Sequence, residues 1–241
     1  MFHLLFIKGL IGIVMVSNIK SLERKFVVFG DSIGFGQHVK PHLTWIHMFS
    51  KFLGELKYIN FTLQNSSING NTTRQALERF MFDVASKKPF AVLIQFGIND
   101  CNCWDSDNGE SRVSEEAFEA NLKELVVKSL AAEISLIFLS TNHSGLKGSF
   151  KANPKFIYSE RILFYNKIIK NVFKNLKKKS FPVELIDNEK MMNLDMSRNK
   201  LQQQDYLLDD KIHLNERGHI LYFNTISSIF SNVIKNYCKE S

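Results

Sequence analysis

Residues 26–36 read Phe26-Val27-Val28-Phe29-Gly30-Asp31-Ser32-Ile33-Gly34-Phe35-Gly36, four apolar residues that run straight into a turn of small and polar ones. An unbroken apolar run of this length, closed by glycine, suits a strand buried on both faces, the environment of a parallel sheet. The same pattern recurs at Ala91 to Phe96, Ile134 to Leu139 and Val183 to Ile186, and a weaker run around Tyr58 to Leu63 makes five strands. Stretches of helical periodicity fall between and after them, near 42–53, 72–86, 114–132, 156–178 and 215–236. The stretch after Ser114 is the clearest. Ser114 can cap it, Glu115 and Glu116 suit the positive end of its dipole, and Phe118, Leu122, Leu125 and Val126 supply the buried stripe. The repeated βα order predicts a three-layer α/β/α sandwich.

The composition agrees with that reading. A chain of 241 residues, 44% hydrophobic and 12% aromatic, can bury one substantial core, and 23% charged residues with only four prolines exclude disorder, collagen and coiled coil. We expect one domain over residues 25–241, preceded by a hydrophobic extension over 1–24. Three cysteines, Cys101, Cys103 and Cys238, give neither an even set of bridges nor a C-x-x-C pair, so reduced thiols are the expectation.

The net charge of +7 is local: between Gly145 and Lys200 there are 13 basic and 5 acidic residues, an excess of +8 that leaves −1 elsewhere. Much of it falls on the predicted helix 156–178, where Tyr158, Ile162, Tyr165, Ile169, Val172 and Leu176 form an apolar stripe and Lys167, Lys170, Lys174 and Lys178 fall mostly off it. This is the pattern of a solvated helix face, and no nucleic-acid partner is expected; weak contact with an anionic membrane surface is the alternative use of the patch. Met1 to Val16 is the most hydrophobic stretch, but Lys8 interrupts it and it is short of the ~20 residues a membrane span needs. It also lacks a basic opening and a small-residue cleavage site. A cytoplasmic location is the expectation. Export or anchoring through residues 1–16 is the alternative, as is an in-frame start at Met15.

In open parallel sheets the working groups gather at the carboxyl ends of the strands. Three loops therefore matter most: Gly30–Gly36, Asn65–Thr73 and Gly97–Cys103. The first holds Ser32. A serine hydroxyl is a weak nucleophile that needs a base, a group to orient the base, and donors for the oxyanion it creates. Asp210-Lys211-Ile212-His213 offers the first two, because a carboxylate three residues before an imidazole can reach back to its Nδ1–H and leave the other nitrogen to accept the serine proton. The Ser32 N–H, the Gly70 N–H and the Asn99 side-chain amide are the candidate oxyanion donors.

These blocks resemble the SGNH (GDSL) hydrolase family in type and in chain order: Gly-Asp-Ser at 30–32, Gly70, Gly-x-Asn-Asp at 97–100 and Asp-x-x-His at 210–213. The resemblance spans residues 26 to about 236. It implies a flavodoxin-like five-stranded sheet of order 2-1-3-4-5 and hydrolysis of esters without a cofactor or metal. Residue by residue it implies Ser32 as nucleophile, His213 as base and then acid, Asp210 as the orienting partner, and Ser32, Gly70 and Asn99 as the oxyanion hole. Acyl transfer or thioester hydrolysis through the same acyl-enzyme is the near alternative; a binding module without turnover is the distant one. Ile33 replaces the usual leucine after the serine, and Thr141-Asn142-His143-Ser144 matches no family block.

Other readings are weaker. Gly30-x-x-x-Gly34-x-Gly36 also resembles a dinucleotide turn, but the chain has no Tyr-x-x-x-Lys pair and the second strand ends in Gln64-Asn65 without an acid for a ribose hydroxyl. Asp205, Asp209, Asp210, His213 and His219 form one sequence cluster and His38, His42 and His47 another, neither with a recognised metal-ligand spacing. Asp31 reads as a loop brace, Asp100 as a turn former, and Cys101 and Cys103 as packing residues. Phe35, His38 and Trp104 are candidate pocket walls.

Overall fold

A computed structural model describes residues 23–56, 59–145, 148 and 150–240. Its strands are β1 (Arg24–Gly30), β2 (Phe61–Asn65), β3 (Ala91–Gln95), β4 (Leu136–Ser140) and β5 (Val183–Ile186). All pair in parallel in the order β2-β1-β3-β4-β5. The helices are α1 (Ser32–Phe35), α2 (Trp45–Gly54), α3 (Thr73–Asp83), α4 (Glu115–Ala131), α5 (Tyr158–Lys178), α6 (Asn188–Asn199) and α7 (Glu216–Glu240). Every residue of β3 and β4 is buried, as the unbroken apolar runs predict. The hydrophobic extension at residues 1–16 and Tyr58 lie outside the described residues. Among the described residues no helix is long and apolar enough to cross a membrane.

Alternate residues of β1 feed opposite faces. Phe26 joins Phe49 of α2, Phe138 of β4 and Phe230 of α7, with ring centroids 5.1 to 5.9 Å apart. Phe230 also meets Phe49, Phe61 and Phe138, so one ring of the last helix touches two other strands and α2. Phe29 faces the other way, onto Phe80 of α3 and Phe96 just beyond β3. On that side α3, α4 and α5 pack in series, with Phe118 against Tyr165.

Three elements differ from the sequence expectation. β2 lies at Phe61–Asn65 rather than 58–63, its register set by pairing with Arg24 to Val28. β4 begins at Leu136, not Ile134. Helix α6 was not foreseen: only Asn188 and Met192 are fully buried in it, so it carries no apolar stripe, and its start is fixed by Asp187, whose side chain accepts from the Lys190 N–H. On α5 the basic face is partly neutralised within the chain. Lys170 bridges Asp187 and Glu189, and Lys177 meets Glu184.

Candidate active site

The turn after β1 is built tightly. Asp31 caps the one-turn helix α1, its Oδ1 accepting from the Ile33 N–H at 2.9 Å. Gln95, the last residue of β3, accepts from the Gly34 N–H at 3.0 Å, and its Nε2 donates to Asn142 Oδ1 at 2.8 Å. Trp45 Nε1 donates to the Ile33 carbonyl at 2.9 Å. Gly34 is required here by space, since a Cβ would collide with the Ser67 side chain and lie 3.2 Å from Gln95 Oε1. Ser32 thus sits, 5% exposed, on a turn whose flanking groups are held from β3, α2 and the loop after β2.

His213 arrives from the other end of the chain. Leu207 and Leu214 form an isolated antiparallel bridge, and the Leu208 N–H donates to the His213 carbonyl at 2.8 Å. Within this loop Asp210 Oδ1 accepts from the N–H groups of Ile212 (2.9 Å) and His213 (2.8 Å), and Oδ2 lies 2.6 Å from His213 Nδ1. Burial acts to raise the Asp210 carboxyl, but these bonds outweigh it and hold the group below its ordinary value. An ionised carboxylate only accepts, so Nδ1 carries the proton and Nε2 keeps a lone pair. His213 Nε2 lies 2.9 Å from Ser32 Oγ. The structure therefore joins Ser32, His213 and Asp210 in one hydrogen-bonded line that can pass a proton from hydroxyl to imidazole.

Two more histidines surround the line and stay neutral. His143 is fully buried; burial first, then the nearby His213, pushes it down to about 4. His219 is pushed down to about 4 for the same two reasons, and its Nδ1 accepts from the Trp45 N–H at 3.2 Å. Neither adds positive charge beside His213 at neutral pH.

The three expected oxyanion donors lie on loops that are tied together. The Ile68 N–H donates to the Gly30 carbonyl at 3.0 Å, and Arg79 reaches Gly30, Ser66 and Asn71 from α3. Gly70 has φ +75°, a conformation glycine adopts without strain, and a Cβ there would meet nothing within 4 Å. Its carbonyl is held by Arg112 Nη1 at 3.0 Å, whose guanidinium also lies over the half-exposed Trp104 ring at 3.8 Å. Asn99 Nδ2 is buried without an acceptor among the described residues. The Ser32 and Gly70 N–H groups likewise have no acceptor among them.

Asp100 lies in the turn expected of it, closed by the Cys101 N–H on the Gly97 carbonyl at 3.0 Å, and it has a second task. It is fully buried, and its Oδ1 accepts from Thr73 N (2.8 Å) and Thr73 Oγ1 (2.5 Å), clamping the loop after β3 to the start of α3. Burial raises it to about 6 against the pull of those two bonds. Asp31 is the brace expected, and burial raises it to about 7 despite the Ile33 N–H and the nearby Gln95 and Asn99 amides. Cys101 and Cys103 are buried and free, and burial raises both thiols. Phe35 is 53% exposed beside Ser32.

Sequence reasoning missed Gln95, Trp45 and Asn142. The one local signal was a glutamine interrupting the apolar run Ala91 to Phe96. The unassigned segment after β4 proves structural: Asn142 links Gln95 to the Phe96 carbonyl and to Asn166 of α5.

Two curated proteins match part of the chain. The uncharacterized lipoprotein YqeF of Bacillus subtilis is 35% identical over 81 residues, 34% of this chain and 32% of that protein. Esterase TesA of Pseudomonas aeruginosa is 28% identical over 96 residues, 40% of this chain and 47% of that one. The matches thus span half or less of these relatives. Among solved structures, Axe2, an acetylxylan esterase from Geobacillus stearothermophilus, superposes with a TM-score of 0.66 at 21% identity, covering 84% of this chain and 92% of its own, a likeness of fold. The family described as GDSL-like lipase/acylhydrolase matches residues 28–221, well over half of the sequence, and the chain belongs to that family.

Proposed function

We propose that the protein is a serine esterase hydrolysing carboxylic esters through an acyl-enzyme. The observation that carries this reading is the line Ser32 Oγ, His213 Nε2, Asp210 Oδ2, with separations of 2.9 Å and, from Nδ1, 2.6 Å. His213 takes the Ser32 proton as the oxygen attacks the acyl carbonyl, then gives it to the departing alcohol. Water enters by the same route in reverse: His213 removes its proton, the hydroxide adds to the acyl carbon, and the proton returns to Ser32 as the acid leaves. The Ser32 and Gly70 N–H groups and Asn99 Nδ2, without an acceptor among the described residues, are the donors available to the oxyanion. No cofactor is required by these steps.

The substrates proposed are small O-acyl esters or lipid-like acyl esters, with acyl transfer or thioester hydrolysis as the variants that share the intermediate. A fluorophosphonate probe should label the wild type and leave Ser32→Ala unlabelled at unchanged melting temperature. Folded wild-type protein that stays unlabelled would instead favour a binding module. A panel of p-nitrophenyl esters from acetate to palmitate separates the substrate classes: rates that peak at acetate exclude a lipase, and rates that peak at long chains exclude a deacetylase.

A further inference from the structure

The two histidine clusters of the sequence regroup in the fold. His38 follows the nucleophile turn, and its ring stands edge-on to that of His213, with centroids 5.1 Å apart and planes at 90°. One ligand atom from each of His38, Asp210 and His213 lies within 4.8 Å of the other two. His38 and Asp210 are exposed and His213 is half-buried, so an ion reaches all three from solvent. The other two imidazoles beside His213, those of His143 and His219, are buried and closed to solvent.

His38 is also held in an uncommon way. Its φ of 69° is left-handed, a conformation non-glycine residues adopt at some cost. The Gln37 side-chain amide donates to its Nε2 at 2.9 Å, which marks that nitrogen as a lone-pair site. Two imidazoles and one carboxylate are a donor set suited to zinc, leaving a fourth position for water, whereas magnesium and calcium take sets of oxygens.

We infer that His38, Asp210 and His213 form an inhibitory binding site for a divalent ion of the zinc class. His38 and His213 would bind as neutral rings and Asp210 as the carboxylate, so the bound ion keeps one positive charge. Either nitrogen of His213 leads to the same end. Coordination through Nε2 takes the lone pair meant for the Ser32 proton, and coordination through Nδ1 displaces its proton and the bond to Asp210. The effect on turnover rests on the esterase reading; the binding does not.

The test titrates zinc chloride against the full chain, following heat of binding and hydrolysis of p-nitrophenyl acetate in wild type, His38→Gln and Ser32→Ala. Zinc should stop wild-type turnover and a chelator restore it, while magnesium does neither. With each protein measured against its own zinc-free rate, His38→Gln should need roughly tenfold or more zinc than the wild type for the same fractional inhibition, as expected when one of three ligands is lost. Ser32→Ala, though inactive, should bind zinc like the wild type. Equal zinc sensitivity of His38→Gln and wild type, or a wild type that gives neither heat nor inhibition, overturns the proposal. A chain that hydrolyses no ester while zinc binding still depends on His38 would leave the site standing and remove the esterase reading.

Discussion

Asp31 precedes Ser32 in the chain and Asp210 holds the imidazole that meets the Ser32 hydroxyl, yet the two carboxyls belong to regions held in different ways. The turn carrying Asp31 is buried and fixed by groups distant in sequence: Gln95, Trp45 and the Asn65 side chain, which donates to the Gly34 carbonyl. Its carboxyl is raised to about 7 by burial. The loop carrying Asp210 lies at the surface and is held largely by its own backbone, and there three hydrogen bonds keep the carboxyl ionised. The Ser32 side is enclosed by the core, whereas the His213 side depends on one short motif. Changes to the groups that hold the first region should therefore act mainly on stability, and changes to the groups that hold the second mainly on rate.

The largest effect expected is at Asp210. Asp210→Asn should lower kcat by about 10³- to 10⁴-fold, because the amide favours the wrong imidazole tautomer, with little change in melting temperature. Asp31→Asn should cost far less; an equal loss in the two variants would break the contrast. Asn99→Ala comes next, with kcat down about 10²- to 10³-fold and KM little changed, read from steady-state kinetics. Gln95→Leu should appear chiefly in urea denaturation, at about 2–4 kcal/mol, because the buried Gly34 N–H and Asn142 Oδ1 each lose a partner.

The last effect is a pH dependence. Asp31 has a folded pKa of about 7 against 3.8 when free. As pH rises from about 4 to 7 the unfolded chain releases that proton while the folded chain retains it, so the contribution of Asp31 to stability falls. His143 and His219, at about 4 when folded, act in the opposite sense: below their ordinary value of 6.5 the unfolded chain binds more protons, and stability rises with pH over that window. In the wild type these slopes oppose each other. Asp31→Asn removes the falling one, so its stability relative to wild type should grow from acid to neutral pH. Urea midpoints that move in parallel for the two proteins would show that Asp31 is not held protonated.

Much of this architecture is legible in local pattern, because strands buried on both faces must be continuously apolar and capped helices announce their starts. Ser32, Asp210 and His213 are legible for a related reason: their chemistry requires particular residue types in short motifs. What holds them is not. Gln95 and Trp45 act through partners far away in the chain, and an isolated glutamine or tryptophan carries no mark of its partner. Asp100 resembles any turn aspartate until Thr73 is seen to close on it. Helix α6 has too little buried surface to imprint a period, and β2 takes its register from β1, not from its own residues.

Phe230 has a consequence for the order of assembly. Its ring closes on Phe26, Phe49, Phe61 and Phe138, and the helix that carries it begins just after His213. During synthesis, a chain delivered through β5 has α2 over part of the Phe26 side of the sheet, but the apolar surface that Phe230 closes on, from Phe61 to Phe138, is still open. His213 stands just before that helix, so closing that side of the sheet and bringing the imidazole to Ser32 happen together.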